Sequence, residues 1–198
     1  TTDDEGSSND ERYRSRVNIG YGFNETFGLT IISTLDKRKD EAAEYDATTF
    51  EFDTQILEQE KNWLTGGIRL AYSLKDGDKK PDNAEIRLML SRKHEGWNYR
   101  FNQLLTHEVG EDSEGGIEAE TRWQVTYKIA EPFDFGFQGY HDFGRLRDDL
   151  SYEEQSHSVG PLVKFDLTDS IFVEAGYRAG ISEGAPDHMY RLNFGYDF

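Results

Sequence analysis

The 198-residue chain has no shift of composition along its length and is the size of a single domain. Its net charge of -17 at pH 7 argues against nucleic acid as a partner, because binding would need a basic stripe to displace counterions. Without Cys or an apolar run near the roughly 20 residues of a spanning helix, disulfide frameworks, thiolate metal sites and helical membrane spans are excluded, and no cofactor is implied.

Aromatic residues at 14% with only 4 Pro argue against disorder. Residues 1–13, opening TTDDEGSSND, lack the basic and apolar regions of a signal peptide and read as a flexible acidic segment, the remnant of an extracellular loop. From Arg14 onward a period-2 alternation predicts eleven strands. The first sets Val17, Ile19, Tyr21 and Phe23 against Arg16, Asn18 and Gly20. The second sets Leu29, Ile31 and Leu35 against Thr30, Thr34 and Asp36, and the third Phe50, Phe52 and Ile56 against Glu51, Asp53 and Gln55. The fourth to sixth repeat the division around Arg69, around Glu85 and Arg87, and around Arg100. In the seventh, Ile117, Ala119, Trp123, Val125 and Tyr127 oppose Glu118, Glu120, Arg122 and Gln124. Phe133, Phe135, Phe137 and Phe143 then oppose Asp134, Gln138 and Asp142. Val159, Val163 and Phe165 oppose Ser158 and Lys164, Val173 and Tyr177 oppose Glu174 and Arg178, and Leu192, Phe194 and Tyr196 oppose Arg191 and Asn193. Helical spacing is absent, so the chain is all-β.

Short joints at 24–26, 60–62, 94–96, 130–132 and 168–170 alternate with polar links at 37–46, 76–83, 108–116, 146–155 and 182–187. That is the up-and-down pattern of a transmembrane barrel with tight periplasmic turns and long extracellular loops. The apolar face is too bulky to fill a lumen, so it should meet lipid, and the charged face should line the interior. Tyr21, Phe23, Trp63, Trp97, Tyr99, Tyr127, Phe133, Phe165, Tyr196 and Phe198, with Phe27 and Phe172, gather near the short turns as an aromatic girdle.

The ending Tyr190-Arg191-Leu192-Asn193-Phe194-Gly195-Tyr196-Asp197-Phe198 resembles the C-terminal signature of Gram-negative outer-membrane β-barrel proteins. The resemblance implies recognition of that strand by the barrel assembly machinery, residence in the bacterial outer membrane, and contact with its lipid and lipopolysaccharide. The overall plan is similar to small monomeric porins of the oligogalacturonate and sialic-acid channel type, which have twelve strands. The likeness is architectural and carries no substrate across. The expected architecture is therefore an antiparallel up-and-down transmembrane β-barrel over residues 14–198 with about twelve strands, eleven of them visible and a first one preceding Thr1, or alternatively ten.

Facing the lumen, Arg16, Arg69, Arg87, Arg100, Arg122, Arg178 and Arg191 meet Glu51, Asp53, Glu85, Glu118, Glu120 and Glu174. Crowded interior charges must pair, so ladders of Arg and carboxylate are expected. The leading function is an outer-membrane channel passing small polar or charged solutes through a narrow ion-pair-lined lumen. A closed scaffold that binds through its loops is the alternative. A lipid-modifying enzyme is the third reading, because His141 and His157 lie near the outer rim close to Ser156 and Ser158, although no Ser shares a face with either His. The acidic loops read as solvated charge, and no metal site is assigned.

Overall fold

The structure, a computed structural model, describes residues 11–76 and 81–198. Its strands are β1 (Tyr13–Gly22), β2 (Phe27–Lys37), β3 (Glu44–Leu57), β4 (Thr65–Lys75), β5 (Asp82–His94), β6 (Trp97–Val109), β7 (Glu118–Ala130), β8 (Phe133–Arg145), β9 (Ser156–Asp166), β10 (Ile171–Gly180) and β11 (His188–Tyr196). They form one eleven-stranded sheet in sequence order, each antiparallel to its neighbour. The eleven alternating segments of the sequence are these strands, and the ten-strand alternative is not observed. Of the acidic segment 1–13, residues 1–10 lie outside the described residues, as do 77–80.

The sheet is curled. Arg191 of β11 donates to the hydroxyl of Tyr140 on β8, across two intervening strands, and Arg16 of β1 lies within electrostatic range of Arg122 on β7 and of Tyr140. Orientation follows from burial along a single strand. On β8, Phe137 is 54% exposed while the adjacent Gln138 is 1% exposed. The polar parity therefore faces the concave interior and the apolar parity forms the outer wall. Outside a bilayer such a wall would be a continuous oily patch far larger than soluble proteins carry. Inside one it is the surface that lipid requires.

The tight turns have identifiable chemistry. Glu95 and Gly96 both have positive φ (49° and 83°), the two-residue geometry that matches strand twist. A Cβ on Gly96 would also press on the Tyr127 ring at 3.1 Å. Between β1 and β2, Asn24 Oδ1 accepts the amides of Thr26 and Phe27 at 2.8 and 2.9 Å, and Thr168 Oγ1 does the same for Ser170 and Ile171 between β9 and β10.

Three expectations are corrected. The joint at 60–62 occupies 58–64, because Glu58 starts a turn whose carbonyl accepts the amides of Lys61 and Asn62. The links at 37–46 and 108–116 are shorter than expected, since β3 begins at Glu44 and β6 runs to Val109. Backbone pairing continues past the apolar belt into polar sequence, where alternation no longer marks a strand. Phe172 does not belong to the girdle: it stands opposite Asp166 and Gly195 on the inward parity, with the Lys164 ammonium 5.1 Å from its ring centre.

Candidate functional site

The interior charges sort by height. At the rim with the longer links Arg145 gathers Glu108 at 3.2 Å, Glu118 at 3.5 Å and Glu114. Glu118, expected to face the lumen, joins this rim cluster where a bulge between Glu118 and Glu120 shifts the β7 to β8 register. Midway down, Arg69 makes a two-pronged contact with Asp53 at 2.5 and 2.8 Å and reaches Glu51 at 2.5 Å. The register makes this contact: Asp53 and Arg69 are direct cross-strand partners, and Glu51 is the next inward residue on β3. Arg87 pairs with Glu85 at 2.8 Å and approaches Glu51 at 4.0 Å. Arg122 and Glu120, two apart on β7 and so on one face, form another fork at 2.5 and 2.7 Å. Arg191 pairs with Glu174. Breaking one such pair leaves a partly buried charge uncompensated, which costs about 3–5 kcal/mol in a dry setting.

Three of the expected lumen cations make no ion pair among the described residues: Arg16, Arg100 and Arg178. Arg178 donates instead to Ser158 Oγ at 2.8 Å and lays its guanidinium 3.6 Å from the ring centre of Tyr140. Arg122 and Arg191 stand 5.2 and 5.9 Å from the same ring. Tyr140 is thus ringed by three guanidiniums, those of Arg122, Arg178 and Arg191, whose contacting counter-charges are Glu120 and Glu174, while Arg16 lies within electrostatic range of the ring and of Glu51. Sequence reasoning missed Tyr140. Its inward parity between Gln138 and Asp142 was the available signal, hidden by the many aromatics on the opposite face.

Arg100 stands apart, exposed beside a cavity of about 450 Å³ at the end of the short turns. Asp53, Gln55, Ser91 and Asn102 share its walls, and the β1 to β2 turn flanks it. Apolar side chains also enter the interior. Leu104 and Leu162 lie on the inward parity and are each 2% exposed, so the lumen is closely packed at their levels.

On the outer wall near the short turns, Trp97 packs on Tyr127 with ring centres 4.9 Å apart, Phe133 on Phe165 at 4.6 Å, Tyr21 on Phe23 at 5.3 Å and Tyr196 on Phe198 at 6.2 Å. Tyr99 stacks beside Trp97, and the Arg92 guanidinium lies 4.4 Å from the Trp63 ring. At the opposite rim His141 and His157 are cross-strand partners on the outer wall. Ser158 faces the interior and serves Arg178, on the other side of the sheet from the two imidazoles.

Comparison with known proteins agrees with this geometry. No curated protein matches the chain. Among solved structures, the NanC porin in a rhombohedral crystal form is similar, with a TM-score of 0.68 over 94% of each chain at 13% identity. At that identity the likeness concerns the fold, which is porin-like. The pattern of one outer-membrane β-barrel family extends over residues 61–198, well over half the sequence, and the chain belongs to that family, described as "Putative MetA-pathway of phenol degradation".

Proposed function

We propose that the protein is an outer-membrane channel for passive passage of small polar or charged solutes, and that its constriction around Tyr140 favours anions. The observation that carries this reading is the excess of guanidinium over carboxylate at that ring, with Arg178 held only by a hydroxyl and a π face. A positive constriction concentrates anions and repels cations, as charged rings do in selective pores. The short turns would lie in the periplasm and the long loops outside the cell, in contact with lipopolysaccharide. The strand from Tyr190 to Phe198 would engage the barrel assembly machinery, and the working unit would be a monomer. Because the family description names phenol degradation, aromatic acids and phenols are the first solutes to try.

Planar-bilayer recording under a salt gradient tests the proposal. Discrete conductance steps with an anion-favouring reversal potential are expected, and the Arg178→Glu, Arg16→Glu double variant is expected to reverse the sign of that potential. Silence from a well-folded preparation would favour the closed scaffold, a reading supported by the packing of Leu104, Leu162 and Gln138 within the lumen. Lipid hydrolysis lost on His141→Ala would instead favour the enzyme.

A further inference from the structure

A directional chain of hydrogen bonds crosses the outer wall at the rim. The Trp123 indole can only donate, and its Nε1 lies 3.0 Å from His141 Nε2. That nitrogen must therefore be the acceptor, which puts the proton of a neutral His141 on Nδ1. His141 Nδ1 is 3.2 Å from His157 Nδ1, so His141 donates, His157 accepts, and the His157 proton lies on Nε2. His157 Nε2 in turn donates to Gln155 Oε1 at 3.0 Å, and the Gln155 amide donates to the Leu150 carbonyl at 2.8 Å. Every link has one allowed direction when both rings are neutral.

The far end of this chain is the 146–155 loop. Tyr152 stacks on His157 with ring centres 4.5 Å apart, Phe143 meets it edge-on at 5.6 Å, and His157 is 3% exposed. The neighbouring 181–187 loop is tied to the same point. His157 N–H donates to Ser182 Oγ, which donates to the Gln155 carbonyl, and the Tyr152 hydroxyl donates to the Ile181 carbonyl.

We propose that His141 and His157 form a proton-sensitive latch that holds the 146–155 loop on the outer end of the wall, and that acidification releases it. A third proton has no free lone pair to occupy. On His157 Nδ1 it would set two N–H groups against each other, and on His141 Nε2 it would confront the indole N–H. The neighbouring charges do not offset it by contact. Asp142 is within electrostatic range of His157 but has the inward parity, Glu154 is turned onto Ser151, and Glu153 onto the Glu183 amide. Trp123 on β7 and Ile181 and Ser182 beyond β10 bring no charge. Protonation therefore breaks a link and leaves a cation on an apolar wall.

The chain has no Cys, so a nitroxide on Asp148→Cys reports the loop alone. In the full chain in lipid vesicles, the label is expected to pass from mostly immobile to mostly mobile between about pH 7.5 and about pH 4.5. His157→Phe keeps the ring stack but removes the links to His141 and Gln155, and should leave the label mobile throughout. In the unsubstituted chain, ¹⁵N spectra of the histidines near pH 7.5 should contain one Nδ1–H form and one Nε2–H form for this pair. An unchanged label across that range, the same transition in His157→Phe, or two Nε2–H tautomers would overturn the latch. If the Phe variant does not fold, the tautomer measurement decides. None of these readouts needs ion flow, so a non-conducting barrel leaves the test intact.

Discussion

The 146–155 loop responds to acid in two ranges, one through its own Glu154 and one through the imidazoles of β8 and β9 beside it. Glu154 accepts both the hydroxyl and the amide of Ser151, at 2.7 and 2.9 Å, and these donors hold its carboxyl below the usual carboxylate range. A depressed carboxylate stabilises the folded loop above its unfolded value of about 4.3, and that contribution disappears as pH falls through the lower folded value. Loosening through Glu154 thus comes at more acid pH than loosening through the imidazoles. A ¹³C carboxyl titration should place Glu154 below the ordinary range, and Ser151→Ala, which removes the hydroxyl donor and keeps the amide, should bring it part of the way back while leaving the histidine-range release of the loop unchanged. Inward glycines make a second residue-scale case. A Cβ on Gly160 would fall 2.2 Å from the Tyr177 carbonyl oxygen, which is backbone, whereas one on Gly176 would fall 2.3 Å from the Gln138 amide nitrogen, the end of a side chain. Gly160→Ala should therefore lose about 1–3 kcal/mol in denaturant unfolding, and Gly176→Ala less, because Gln138 can swing away.

At the scale of the strand, parity decides the sign of a charge substitution. Phe137 and Val163 lie on the lipid-facing parity of β8 and β9, with Gln138 and Lys164 on the other. Phe137→Lys should cost about 2–4 kcal/mol if its height is near the bilayer midplane, measured as urea unfolding from vesicles. This parity was readable in the sequence because each strand is half lipid-facing, so apolar and polar residues alternate without exception through stretches such as Trp123 to Tyr127. The inward placement of Phe172 was equally implied by its neighbours Val173 and Glu174. What could not be read was which charges meet. Arg69 finds Asp53 through the cross-strand register, and Glu118 joins Arg145 because one bulge shifts the frame. Neither register nor bulge leaves a mark in the alternation of a single strand. The His141 and His157 contact was hidden for the same reason: their shared parity was visible, their direct opposition was not.

At the scale of the whole molecule, the sheet order begins at β1 and ends at β11, and those two strands are not hydrogen-bonded to each other. Each therefore has an edge of backbone N–H and C=O groups without a strand partner among the described residues. Hydrocarbon gives such groups no water, and an unsatisfied one costs several kcal/mol, which is why open sheet edges do not face lipid. The outward side chains along both edges are apolar: Val17 and Ile19 are 65% and 68% exposed, and Leu192 and Phe194 are 60% and 73% exposed. Side chains suited to lipid beside backbone that lipid cannot solvate require that both edges be paired in the bilayer. Amide exchange on the protein in lipid should then find the edge amides of β1 and β11 as protected as those of β6 and β7, which have neighbours on both sides. Rapid exchange confined to the two edges would mean that the seam faces water, and the Arg16 side of the constriction would lie open to solvent and lose its grip on anions.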